Sequence, residues 1–133
     1  VDNLIRVGTC GALSSDLNPS DLVIAQSATT IGTTINKLDR ETFLNPSADF
    51  KLTKKLYENA VELGMEVEVG QVVTSDYFYG TPEEHEKKLR DYGALAVEME
   101  AAALFKLAAK YDLNAATVLT VSDLILENSF RWN

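Results

Sequence analysis

Four apolar runs, at Leu4–Val7, Leu22–Ala28, Val67–Val73 and Ala115–Val121, are short enough for strands, and stretches whose apolar residues recur at helical spacing lie between the second, third and fourth. Asn3 to Val7 predicts a first strand, followed by a tight turn of small residues at Gly8, Thr9, Cys10 and Gly11. Asp16, Asn18, Pro19 and Ser20 supply the turn into the second strand. Residues 31–46 are polar and predict a long loop, a candidate cover for a site. Ser47 can cap a helix running to Leu63, with Phe50, Leu56 and Ala60 among its apolar residues and Gly64 at its stop. Val67 to Val73 alternates Val and Glu before turning apolar, as a strand does when it enters a core.

Thr81, Pro82, Glu83 and Glu84 form a capping-box pattern with proline at the first helical position, opening a charged helix to about Arg90. Ala94 to Val97 predicts a short strand, and Ala101 to Tyr111 an alanine-rich helix. Strands that alternate with helices and are apolar throughout imply an α/β fold: three layers, with a mostly parallel or mixed central sheet covered by helices on both faces. The 133 residues read as a single domain. Ligands of such sheets lie beyond the carboxyl ends of strands. That rule selects Gly8 to Gly11, Thr74 to Gly80, and Ser122 with Asp123.

Composition narrows the partners. The chain is 46% hydrophobic and 24% charged, with a net charge of −8, a balance that disfavours nucleic acid and anionic membrane surfaces. A single phosphate is not excluded, because one arginine and a few backbone N–H groups can hold it locally. Cys10 is the only cysteine, so neither an internal disulfide nor a cysteine-based zinc site is expected. A reducing, cytoplasmic setting fits, and no run reaches the length of a transmembrane helix. The absence of an initial methionine and the final Phe130, Arg131, Trp132 and Asn133 suggest a chain cut at both ends.

Four segments carry candidate chemistry. In Arg6–Leu13 small residues let an anion approach the backbone, Thr9 adds a hydroxyl and Arg6 a planar charged fork; the alternative is a turn that needs glycine for its angles. In Val97–Ala103 a glutamate at a strand-to-helix junction either serves the helix dipole or accepts from two neighbouring hydroxyls of a ribose, with Met99 as an apolar wall. Asp123 after the last strand reads as a helix cap or as a proton donor, since a carboxyl group partly removed from water can give its proton to a departing group. Tyr77, Phe78 and Tyr79 supply rings for core packing or for stacking on a flat base. His85, between Glu84 and Glu86, reads as solvated, and Cys10 as a small packing residue.

In order along the chain, RVGTCGAL (6–13), TSDYFYG (74–80), AVEMEAAALF (96–105) and TVSDLI (120–125) resemble the nucleoside phosphorylase superfamily, and most closely its hexameric bacterial-type purine nucleoside phosphorylases. The resemblance implies phosphorolysis of purine nucleosides to free base and ribose 1-phosphate in a cytoplasmic homo-oligomer, a hexamer. Phosphate is the co-substrate, and neither a metal nor an organic cofactor is involved. By that resemblance Arg6 and Thr9 bind phosphate, and Glu100 with Met99 holds the ribose. Phe78 packs on the purine, with Val97, Glu98, Gly11 and Cys10 lining the same pocket. Asp123, supported by Ser122, protonates the base. The family's N-terminal portion, with further phosphate ligands, has no counterpart here, and Arg131 lies earlier than the arginine of the family's last helix. The chain is therefore expected to be the middle and later part of such an enzyme. A nucleosidase using water shares the glutamate and aspartate, and Arg6 is what favours phosphate over it. Uridine phosphorylases lack the Ser-Asp pair seen at 122 and 123. An inactive nucleoside-binding module is the reading from a different class.

Overall fold

A computed structural model describes residues 1–31, 37–40, 42–76 and 81–126. The elements are β1 (Asn3–Ala12), β2 (Leu22–Thr30), β3 (Lys37–Asp39), β4 (Thr42–Phe43), α1 (Phe50–Glu62), β5 (Val67–Thr74), α2 (Glu83–Asp91), β6 (Ala96–Glu98), α3 (Ala101–Lys110) and β7 (Asn114–Leu124). The expected α/β alternation and mixed central sheet are both present. The sheet also closes on itself, in the order β1-β6-β5-β2-β7, with parallel pairs β1–β7, β2–β5 and β5–β6 and antiparallel pairs β1–β6 and β2–β7. Closure removes the exposed edges an open five-stranded sheet would leave.

The core lies where the apolar runs of the sequence are continuous. Val23, Ile24, Val72, Val73 and Leu119 are fully buried. Helix α3 adds Ala101, Ala102, Phe105 and Ala108, a stripe at helical spacing that packs on β2 and β7. Its alanines let the helix backbone approach the barrel closely, and Phe105 fills the remaining space. Residues 31–46, expected as a loop, include the small β3–β4 ladder within their described part.

Two helix starts differ from expectation. Asp49 caps α1, its carboxylate accepting from Leu52 N–H at 2.9 Å, whereas the Ser47 hydroxyl turns to the Asn45 carbonyl. Ser47 is drawn off by a bridge to Ser27 of β2, and Asp49 N–H is tied to the Ala115 carbonyl of β7, so tertiary pairing chose the start. At α2 the cap residue is Pro82, with no side-chain cap hydrogen bond, so the Thr81 capping box does not form. Gly64 does end α1, at φ +75°, a conformation in which a side chain is strained.

The larger correction concerns β1. The expected turn at Gly8 to Gly11 is strand: pairing with β7 runs on through Gly8↔Leu119 and Thr9↔Thr120 to Ala12↔Leu124. Neither Gly8 nor Gly11 has a positive φ, so the glycines are not there for backbone angles. They are there for space. A Cβ at Gly8 would stand 3.0 Å from Nη2 of Arg6, and one at Gly11 would stand 2.5 Å from Cδ1 of Ile125.

Candidate active site

Arg6 projects from mid-β1, past the short strand β6, toward the start of α3. Its guanidinium lies over Gly8 and bridges two glutamates, with Nη1 3.0 Å from Glu98 Oε1 and Nη2 2.8 Å from Glu100 Oε2. The two carboxylates sit in unlike surroundings. The Glu98 side chain is fully buried, while that of Glu100 is 59% exposed.

Glu98 is buried because the start of α3 needs it. The first N–H groups of a helix have no partner within the helix. Glu98 Oε1 accepts from Glu100 N–H at 3.0 Å and from Ala101 N–H at 2.7 Å. Thr74, opposite Glu98 in the parallel β5–β6 register, donates its hydroxyl to Oε2 and accepts from Ala102 N–H at 2.9 Å. Three helix N–H groups are thus satisfied by two side chains, and the dipole at the helix start favours the anion. Ion pairing to Arg6 completes the set, which is what a buried carboxylate requires. Glu98 was expected to line a base pocket; both its oxygens are instead engaged inside the protein.

The second cluster lies further along β1. The β1–β7 register shifts between Cys10↔Val121 and Gly11↔Asp123, so Ser122 is the extra residue of a bulge. Alternation would send Ser122 and Asp123 to opposite faces; the bulge breaks it, and both are exposed. Ser122 Oγ donates toward Asp123 Oδ1 at 2.8 Å, with the Cys10 carbonyl at 3.2 Å as the longer alternative. Val97 of β6 pairs with the same Gly11, so Asp123, Gly11 and Val97 occupy one rung across three strands. Cys10 is buried, and burial first, then the charges of Glu98 and Asp123, push its thiol up to about 12. It stays a neutral packing group near pH 7.

The other expected site residues divide. Met99 is 41% exposed beside Glu100, available as a wall. Thr9 is exposed, and strand alternation turns it to the opposite face of β1 from Arg6. Phe78 and Arg131 lie outside the described residues. His85 is exposed on α2. Among the described residues no three of His, Cys, Asp and Glu come together as metal ligands would, and no helix is long and apolar enough to cross a membrane. Thr74 opened one of the three strand ends selected from the sequence but was given no role there; its hydroxyl, at the end of a strand adjacent to the glutamates, proves to hold Glu98 and the start of α3.

Three residues of strand, about 10 Å, separate Gly8 under the guanidinium from Gly11 at the Asp123 rung. A cation and an exposed carboxylate thus stand at one point along β1, and a hydroxyl-supported carboxylate at another. Two grooves, of about 810 Å³ beside α1 and about 890 Å³ between α3 and β3–β4, share no lining residue with either cluster.

All 133 residues match the family model described as the phosphorylase superfamily. The chain belongs to that superfamily. It is 52% identical over 126 residues to proteins named purine nucleoside phosphorylase DeoD-type from Bacillus cytotoxicus, Bacillus cereus and Bacillus thuringiensis. The matched region is 94% of this chain and 53% of each relative, so the chain spans about half the length of these relatives.

Proposed function

We propose that the chain is part of a purine nucleoside phosphorylase, which transfers the ribosyl group of a purine nucleoside to inorganic phosphate. The observation that carries this reading is the pair of clusters along β1, the Arg6 guanidinium over Gly8 beside the exposed Glu100, and Ser122 with Asp123 at the Gly11 rung. The names of the Bacillus relatives support it. Arg6 binds phosphate; Thr9, on the opposite face of β1, is left without a part in it. Glu100 accepts from the two ribose hydroxyls, and Met99 lies along the sugar. The base sits by Val97, Gly11 and Phe78, near Cys10.

Asp123, its carboxyl group covered by the bound base, gives a proton to N7 of the purine. The C1′–N9 bond breaks with its electron pair going to the base, and a phosphate oxygen forms the new bond at C1′. No metal or organic cofactor enters, because phosphate supplies the nucleophile and Asp123 the proton. The same reading has the enzyme as a cytoplasmic homo-oligomer, hexameric.

The test is to incubate the chain with inosine or adenosine, with and without phosphate, and to measure ribose 1-phosphate. Its appearance only with phosphate supports the reading. Purine release without phosphate indicates a nucleosidase, and nucleoside binding without release indicates a binding module. Asp123→Ala is expected to abolish purine release while leaving the thermal unfolding midpoint within a few degrees.

A further inference from the structure

Arg6 is held by two carboxylates that differ in how readily they let go. Glu98 has no exposed side-chain surface, and its oxygens also serve Glu100 N–H, Ala101 N–H and the Thr74 hydroxyl. Releasing it would leave a buried carboxylate and a helix start without partners, so this contact is permanent. Glu100 is mostly exposed, and its carboxylate reaches Arg6 through one bond, Nη2 to Oε2 at 2.8 Å. An exposed ion pair of that kind opens at little cost.

The cluster sets one positive charge against two negative ones, so in this state it offers phosphate little attraction. We infer that Glu100 masks Arg6 in the empty site and that a nucleoside's vicinal diol unmasks it, so that nucleoside binding raises the affinity for phosphate. This rests on the proposed function, in which Arg6 takes phosphate and Glu100 takes the ribose. Two hydroxyls draw one oxygen of Glu100 each, turning the carboxylate away from Nη2. Glu98 meanwhile keeps Nη1, so the guanidinium stays flat over Gly8 rather than following Glu100. The vacated Nη2 edge then faces the bound sugar, on the side from which phosphate must attack. Coupling of this form is reciprocal, so phosphate also tightens the nucleoside.

The experiment titrates inorganic phosphate into the chain by calorimetry, alone and with a saturating purine C-nucleoside, whose carbon–carbon glycosidic bond is not cleaved. The 2′,3′-dideoxy form of the same compound is the control. The diol compound is expected to tighten phosphate by at least about fivefold, and the dideoxy compound to leave it unchanged. Glu100→Ala, an exposed position whose fold is checked by circular dichroism, is expected to bind phosphate without nucleoside about as tightly as the unaltered chain does with it. Equal phosphate affinity with and without the diol compound overturns the inference while leaving the proposed function standing, as does weaker phosphate binding by Glu100→Ala. No phosphate binding by either chain in any arm removes Arg6 as a phosphate ligand, and the inference falls with that reading.

Discussion

Replacing Thr74 and Thr117 separately by valine makes the same chemical change at two buried sites and is expected to move stability in opposite directions. Thr74 is 3% exposed; its hydroxyl donates to Glu98 and accepts from Ala102 N–H. Valine keeps the shape but leaves Ala102 N–H and one Glu98 oxygen without partners. A charge-assisted hydrogen bond contributes about 1.5–3 kcal/mol, and an orphaned buried donor costs about 1–3 kcal/mol. The two share one hydroxyl and do not add fully, so a net loss of about 2–4 kcal/mol is expected. Thr117 is fully buried, and its hydroxyl finds no hydrogen-bond partner among the described residues. Deleting that hydroxyl removes a desolvated polar group, and a gain of about 0.5–1.5 kcal/mol follows. Urea unfolding followed by circular dichroism measures both changes, and an unchanged m-value would show that the denatured state is not the cause. For a chain of this size each kcal/mol moves the thermal midpoint by about 3–5 °C. If Thr74→Val costs less than about 1 kcal/mol, the hydrogen-bond assignments at Thr74 are wrong; if Thr117→Val destabilises, the Thr117 hydroxyl is not unpartnered.

Three further outcomes are expected. Asp49→Ala should cost about 1 kcal/mol by removing the α1 cap, and should speed amide exchange in the first turn of that helix. Cys10, with its thiol raised to about 12, favours the folded state fully below its ordinary value near 9.0, and that contribution is lost as pH rises from there toward 12. Urea midpoints between pH 8 and 11 should therefore fall more steeply for the unaltered chain than for Cys10→Ala, and native Cys10 should resist iodoacetamide at pH 8. Gly8→Ala should displace the Arg6 guanidinium by a few tenths of an ångström and weaken phosphate binding severalfold; calorimetry showing unaltered affinity would separate Gly8 from the site.

Much of the site was visible as short segments, but its division of labour was not. At the β6–α3 junction two readings of a glutamate competed: service to the helix start, or acceptance from a sugar diol. The structure gives the first role to Glu98 and leaves Glu100 exposed for the second. No spacing rule separates two residues two apart on a strand-to-helix junction, because which one is buried depends on Thr74 and Arg6, at distances of 24 and 92 residues in sequence. Gly8 and Gly11 similarly read as a turn because glycine most often signals backbone angles. Their actual cause, room for Arg6 and for Ile125, is a tertiary contact.

By itself the sequence determined the α/β alternation, the apolar strands that became the core, the acidic charge and the order of the chemical groups along the chain, because local periodicity and residue chemistry need no partner to be read. Tertiary structure decided the rest. Pairing with β7 drew β1 onward through its glycines and inserted the bulge that exposes Ser122 beside Asp123. Closure of the sheet brought Arg6 to the start of α3, where burial made one glutamate a fixture and left the other accessible. Those outcomes depend on which strands become neighbours, a non-local choice set by the total burial and hydrogen bonding of the closed barrel rather than by any one segment.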